Sequence, residues 1–103
     1  MSDQSVVLVD LLKAHAGKQE ELLELLKLNT ESVIRTLPGW KTTRLIAAGD
    51  GRRVAIYSRW ETPAAIEAMR ADERMQACFR KAASLASRES LMGSRASRDA
   101  RRA

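Results

Sequence analysis

The chain has 103 residues and a formal net charge of +5, a length that fits one small domain. Hydrophobic residues make up 45% of it and charged residues 30%, so we expect a packed core beneath a soluble surface. It contains no run of about 18 apolar residues, so neither a membrane-spanning helix nor a membrane partner is expected. The single cysteine, Cys78, and the lack of a basic-then-apolar leader favour a reducing, cytoplasmic location.

The positive charge is concentrated near the C-terminus. Residues 88–103 hold five arginines against one glutamate and one aspartate, a net of +3, which leaves +2 for the other 87 residues. Because the rest of the chain carries no concentrated basic patch, we expect no nucleic-acid partner. Residues 1–95 are predicted to form the domain, and residues 96–103 a basic, disordered tail.

The first part of the chain predicts a strand, a turn and a long helix. Residues 6–12 are dense in Val and Leu, which is typical of a buried strand. A polar turn is expected at residues 13–17. Residues 18–37 carry Leu, Val and Ile at helical spacing, so one amphipathic helix is expected to end before Pro38.

Residues 38–63 then predict a hairpin between two helices. The Pro38-Gly39-Trp40 step ends the first helix, because Pro lacks a donor and Gly accepts a positive φ. The two strands and the Gly-Asp-Gly turn between them are expected at residues 41–48, 53–61 and 49–51. Thr62-Pro63 supplies a side-chain cap and a preset first φ for the second helix. That helix is expected to break near Ala71-Asp72 and then to resume.

This order of elements resembles the antibiotic biosynthesis monooxygenase-like (ABM) group of the dimeric α/β-barrel, ferredoxin-like superfamily. Three motifs match: Ala16-Gly17-Lys18 before the first helix, Pro38-Gly39 followed by an aromatic residue, and Arg-Val-Ala-Ile-Tyr-Ser-Arg-Trp-Glu at residues 53–61. The resemblance covers residues 5–86 and implies an α+β, ferredoxin-like β-α-β-β-α-β fold with an antiparallel sheet. It also implies a homodimer in which two open sheet faces close a barrel, as expected for a sheet face too apolar to stay in water.

Such a fold requires a final strand, which we expect beside the second strand. Residues 89–95 offer only Leu91 and Met92 as large apolar side chains. The final strand is therefore predicted either to be short and irregular or to be replaced by a partner chain.

Four residues are predicted to line a substrate pocket between the sheet and the helices. Strand periodicity places Ile56, Ser58 and Trp60 on one face of the third strand, and the resemblance implies that Trp60 lines the pocket, with Phe79 from the second helix. In the family an asparagine stands four residues before this tryptophan, where the present chain has Ile56. An isoleucine cannot hydrogen-bond a reactive oxygen. The alternative for Trp60 is a large core residue at a strand end.

Three residues are candidates for catalysis: Trp60, Asp10 and Arg80. Asp10 interrupts an apolar strand, where a carboxylate must be paired or lie in a wet cavity, and it is a candidate general base. The alternative for Asp10 is a buried ion pair with Arg44 or Arg59, either across the sheet or across the dimer. Arg80, on the second helix, is a candidate for holding an anionic substrate oxygen, with an exposed helix-surface arginine as the alternative.

Two functions remain open. The first is a cofactor-independent monooxygenase, an oxidoreductase that deprotonates a phenolic, polycyclic aromatic or quinol substrate so that it reacts with O2 directly. The second is a non-catalytic dimeric barrel that binds a small aromatic or apolar ligand, or an accessory protein of cyclase or isomerase type. No metal cluster or phosphate-binding loop is apparent, and the second helix lacks a histidine for haem, so no cofactor is expected.

Overall fold

The structure, a computed structural model, describes the backbone of residues 5–93 and the side chains of residues 5–88. Its elements in chain order are β1 (Val6–Ala14), α1 (Gln19–Ser32), a 3-10 turn (Ile34–Thr36), β2 (Trp40–Ala47), β3 (Arg53–Trp60), α2 (Pro63–Ala71), α3 (Glu73–Leu85) and β4 (Ala86–Gly93). The tail predicted at residues 96–103 lies outside the described residues. Among the helices described, none has the length and apolar character needed to cross a membrane.

The four strands form one antiparallel sheet in the order β2-β3-β1-β4, with the helices on one side. This is the predicted α+β, ferredoxin-like arrangement. The final strand does form, but its predicted place beside the second strand was wrong, because β4 pairs with β1 along eight residues. α3 packs against α1 and returns the chain to the free edge of β1, so the first and last strands lie side by side, with β1 inside the sheet and β4 at its edge.

The first helix is shorter than predicted. α1 ends at Ser32 rather than at Leu37, and the chain then tightens into the 3-10 turn Ile34–Thr36. Val33 and Ile34 are both β-branched, which lowers their helix propensity at the point where the helix stops. Val33, Ile34 and Leu37 still pack against the core. The apolar spacing that predicted a longer helix therefore reflects core packing beyond the end of α1.

The step before β2 depends on a glycine. Gly39 has a φ of +84°, and a Cβ built there would lie 2.5 Å from the Cβ of Ala65 in α2. The carbonyl of Gly39 also accepts a hydrogen bond from the backbone N–H of Glu61 at 2.7 Å. Gly39 is therefore needed for packing as well as for the turn, since only glycine allows α2 to lie this close.

The predicted start and break of the second helix are both confirmed, and each is made by a side-chain cap. Thr62 Oγ1 accepts from the N–H of Ala65 at 3.1 Å at the start of α2. Asp72 lies between α2 and α3, and its Oδ1 accepts from the N–H groups of Arg74 at 2.8 Å and Met75 at 3.2 Å. The side chain of Arg74, with these backbone donors, holds the pKa of Asp72 below its ordinary value.

The hairpin turn between β2 and β3 is also confirmed. Gly51 has a φ of +77°, which a glycine adopts without strain. Asp50 Oδ1 accepts from the backbone N–H groups of Arg52 at 2.9 Å and Arg53 at 3.0 Å. These two bonds, with the Arg53 side chain at 2.6 Å, hold the pKa of Asp50 far below its ordinary value. Asp50 thus closes the turn locally, and Gln19 of α1 adds bonds from its Nε2 to the carbonyls of Ala48 at 3.2 Å and Arg53 at 3.1 Å.

The two faces of the sheet differ in what covers them. The face under the helices carries the buried core residues of the strands: Val6, Leu8, Leu12, Ala14, Val54, Ser58 and Trp60. The opposite face carries the alternate residues, and no described helix lies over it. Leu11 and Ile46 on that open face are 48% and 53% exposed. The fold therefore leaves an apolar sheet surface uncovered.

Candidate active site

A small cavity lies between the sheet and the helices. Its volume is about 50 Å³, and residues from all four strands and all three helices contribute to its wall. The cavity lining is mostly apolar with a few polar groups, a composition typical of sites for small organic molecules. Asp10, Ile56, Ser58, Trp60 and Phe79 all line it. The structure therefore brings together five of the six residues singled out in the sequence.

Trp60 is at once a core residue and part of the cavity wall. It is 1% exposed and packs in one core cluster with Leu8, Ile66 and Met75. Its Nε1 donates to Ser58 Oγ at 3.0 Å, and that hydroxyl lies 3.5 Å from the carbonyl oxygen of Leu8. The hydroxyl of Ser58 thus holds the indole in one orientation. Trp60 is therefore positioned both as a large core residue and as a residue that lines the cavity, the two alternatives that the sequence left open.

Ile56 lies directly opposite Asp10 in the β1–β3 pairing, and both side chains point to the helices. Ile56 packs against the buried cluster around Leu12 and Val54 and faces the cavity with its other side. The sheet wall therefore presents the apolar side chain of Ile56 at the position where the resembled family has an asparagine amide.

Asp10 pairs with Arg88, which the sequence counts among the basic C-terminal residues 88–103. Its Oδ1 lies 3.9 Å from Arg88 Nε, and the carboxylate side chain is 17% exposed. The guanidinium of Arg88 also lies over the ring of Phe79, 5.0 Å from the centroid, a cation–π distance. The prediction that Arg44 or Arg59 pairs with Asp10 across the sheet was wrong, since the register puts both arginines on the open face and Asp10 on the other. The pairing follows from the position of β4 beside β1.

Arg80 is not brought to the cavity. It is exposed on α3, and it is not among the residues that line the cavity. Met75, Cys78 and Ala82 form the inward stripe of that helix. A residue two positions after Cys78 is rotated by about 200° from it and therefore points outward. Arg88 is the arginine that lines the cavity in its place.

The helix wall contains two polar residues that sequence reasoning missed. Asn29 and Thr30 in the last turn of α1 both line the cavity. Asn29 Nδ2 donates to the sulfur of Met75 at 3.3 Å, and Thr30 Oγ1 donates to the carbonyl of Leu26 at 2.8 Å. Asn29 and Thr30 come three and four residues after the buried Leu26, so they lie on the apolar face of α1. Two polar residues on an apolar helix face are the sequence signal that could have identified them.

Cys78 lines the cavity as a neutral thiol. Burial raises its pKa, because a thiolate loses its hydration in an apolar setting. His15 is exposed in the turn after β1 and does not line the cavity. Within the described part of the chain, no cluster of His, Cys, Asp and Glu could hold a metal ion.

The cavity adjoins a groove on the protein surface. The groove has a volume of about 390 Å³, and it shares four residues with the cavity wall: Leu12, Phe79, Ala82 and Arg88. Phe79 and Arg88, whose side chains are stacked on each other, therefore lie where the cavity meets the groove.

A larger concavity of about 550 Å³ is lined by Leu11, Ile46 and Ala55. Their register positions put these three residues on the open face. Neither Trp60 nor Asp10 lines this concavity, and its charged lining residues are all basic: Lys13, Arg53 and Arg88. Its lining thus offers no carboxylate base, so we place the candidate site at the smaller cavity.

Comparison with known proteins gives one family. The sequence model described as antibiotic biosynthesis monooxygenase matches residues 5–81. The tetracenomycin-F1 monooxygenase of Streptomyces glaucescens is 36% identical over 72 residues, which are 70% of this chain and 64% of that protein. The chain thus spans just under two thirds of the length of this curated relative.

Solved structures show the same fold. The monooxygenase from the gene ActVA-Orf6 of Streptomyces coelicolor, in complex with nanaomycin D, superposes with a TM-score of 0.81 at 23% identity, over 91% of this chain and 89% of that one. The cofactor-independent oxygenase SnoaB of Streptomyces nogalater superposes with a TM-score of 0.81 at 15% identity, over 90% and 94% of the two chains.

Proposed function

We propose that this chain, which belongs to the antibiotic biosynthesis monooxygenase family, is a small cofactor-independent monooxygenase. The substrate would be a phenolic polycyclic aromatic or quinol-type molecule that reacts directly with O2. One observation carries the proposal. The cavity is mostly apolar, with an indole and a carboxylate–guanidinium pair in its wall. The monooxygenase activity of the similar proteins supports the reaction class.

The reaction needs only substrate and O2. Asp10 removes a proton from a carbon flanked by phenolic rings, and the resulting carbanion gives one electron to O2. The carbon radical and superoxide combine, which forms a C–O bond. The O–O bond of that peroxide then breaks as the second C–H proton is lost. Water leaves and a carbonyl remains, so a CH2 group and O2 become a C=O group and H2O without another reductant.

The residues around the cavity have separate roles in this scheme. Trp60, held by Ser58, stacks on the aromatic substrate, and Asp10 takes the proton. Arg88 lines the cavity beside Asp10 and holds a phenolate or enolate oxygen, the role first considered for Arg80. The apolar walls exclude water, so the carbanion meets O2 rather than a proton from solvent.

Substrate binding requires the cavity to open. Its volume of about 50 Å³ is far below the roughly 300–1,000 Å³ of typical ligand sites. The adjoining groove of about 390 Å³ lies within that range. Phe79 is half-buried and Arg88 is exposed, so both can move outward at little cost in buried surface. Their displacement would join the groove to the cavity and admit a planar ring system.

We further propose that two chains pair through their open sheet faces. Leu11 and Ile46 are exposed there, and no described helix covers them. A second copy of the same face would remove both from water in a symmetric dimer.

A ligand-binding protein without turnover is the second candidate. Ile56 favours it, because the sheet wall has no amide to stabilise an oxyanion beside Asp10.

Anthrone oxidation under air, with EDTA present, separates the two candidates. The monooxygenase is expected to form anthraquinone with one O2 consumed per product, and Asp10→Asn should lower the rate by at least tenfold. Lys27→Leu, at an exposed position remote from the cavity, serves as the control and should retain the full rate. Binding of anthrone with no product above the background would favour the ligand-binding protein instead.

A further inference from the structure

We propose that the side-chain amide of Asn29 donates a hydrogen bond to the substrate's anionic oxygen during oxidation, in addition to the guanidinium of Arg88, which lines the same cavity. This inference rests on the proposed monooxygenase function and assigns the amide of the site to α1 instead of β3. Ile56 cannot donate such a bond from the sheet wall, whereas Asn29 lines the same cavity from the helix wall.

The hydrogen-bonding state of Asn29 distinguishes it from the other neutral polar residues of the cavity. Thr30 donates to a backbone carbonyl at 2.8 Å, and Ser58 accepts from Trp60 at 3.0 Å. The side chain of Asn29 makes one hydrogen bond within the described residues, to the thioether sulfur of Met75. A thioether is a weak acceptor, and an amide carries two N–H donors and one carbonyl oxygen. Asn29 therefore enters the cavity with most of its capacity unused.

A bond from the second N–H of the Asn29 amide to a substrate oxygen is favourable, and the first N–H can stay with Met75. A hydrogen bond from an N–H group to an anionic oxygen is about twice as strong as a bond between neutral groups, and sulfur is weaker still as an acceptor. Asn29 is half-buried, so its amide meets the substrate in a setting where water competes little. The gain grows as negative charge develops on the oxygen, which is the requirement for stabilising a transition state.

The position of the amide is fixed before any ligand binds. Asn29 lies in the last turn of α1, where its own carbonyl accepts from the N–H of Val33 at 2.8 Å. The bond to Met75 then ties the side chain to α3 across the helix pair. A donor held in this way needs little reorganisation during the reaction.

Asn29→Leu removes the amide and keeps a side chain of similar length. With anthrone, kcat is expected to fall by about 10- to 100-fold while KM changes by less than about threefold, because the bond strengthens in the transition state. Lys27→Leu, on the exposed side of the same helix, should leave both constants unchanged. Restoring an amide on the opposite wall, in Asn29→Leu combined with Ile56→Asn, should recover part of kcat. A turnover of Asn29→Leu within twofold of the wild type, per folded molecule, would overturn the proposal.

A binding measurement keeps this inference separate from the monooxygenase activity itself. The probe is 1,8-dihydroxyanthraquinone, and its binding is followed by quenching of tryptophan fluorescence at a pH where a phenol is ionised. Asn29→Leu is expected to bind it at least fivefold more weakly than the wild type, and Lys27→Leu equally well. If the wild type binds the probe but forms no quinone, the monooxygenase proposal fails while this test still applies. Equal affinity of wild type and Asn29→Leu, or no binding by the wild type, would overturn the role of Asn29.

Discussion

Trp60 is both a core residue and part of the cavity wall. Its indole fills the core between β1, α2 and α3, and the same ring forms one wall of the cavity. Ser58 satisfies its N–H group, so the buried ring carries no unpaired donor. A tryptophan at this position can therefore be required by packing alone, and a loss of activity on its truncation would not by itself establish contact with substrate.

Truncation of Trp60 to alanine is expected to lower the free energy of unfolding by about 3–5 kcal/mol, the usual cost for a large buried aromatic. Trp60→Phe retains most of the buried surface and should cost clearly less. Urea denaturation of the three proteins measures both values. A cost below about 1 kcal/mol for the alanine variant would mean that the indole mainly borders empty space rather than core.

At the scale of elements, side-chain caps determine where the helices begin. Thr62 caps the start of α2 and Asp72 caps the start of α3. The chain changes direction at Asp72, where the backbone between the two helices is extended. This change of direction positions α3, whose inward stripe carries the cavity residues Met75, Cys78 and Ala82. The cap at Asp72 is charged, so its contribution to stability depends on pH.

The pKa of Asp72 is lowered in the folded protein relative to its ordinary value of 3.8. A lowered pKa means that its contribution to stability is fully present above about pH 4 and is lost as the pH falls through and below that value. Asp72→Asn keeps a capping side chain that does not titrate. Between pH 5 and pH 2 the variant should therefore lose less free energy of unfolding than the wild type. Parallel curves in urea titrations across this range would contradict the charged cap.

Local chemistry allowed most of the elements to be predicted from sequence. Gly51 and Asp72 act on their own neighbours, so the hairpin and the helix break could be identified without knowledge of the rest of the fold. The pairing of Arg88 with Asp10 could not, because it depends on which edge of the sheet receives β4. The role of Asn29 depends on how α1 and α3 face each other, which no local pattern encodes.

At the scale of the whole molecule, the open sheet face leaves apolar side chains in water that no element of the same chain's described residues covers. Stable homodimers bury about 2,000 Å² or more of accessible surface in their interface, summed over the two chains. Sedimentation at micromolar concentration should give the mass of two chains. Ile46→Lys, on the open face, is expected to produce monomers, while Leu28→Lys, at a comparably exposed position on α1, should not. A wild-type monomer under these conditions would overturn the proposed dimer.

The central claim is that the cavity beside Trp60 lets a carbanion react with O2 without a cofactor. Its most direct test is oxidation of anthrone by metal-free protein under ¹⁸O2, with mass spectrometry of the product. The proposed reaction predicts one ¹⁸O atom in the new carbonyl of anthraquinone, formed far faster than without protein, and a strongly reduced rate for Asp10→Asn. Quinone that forms at the protein-free rate, or whose new oxygen comes from water, would contradict it.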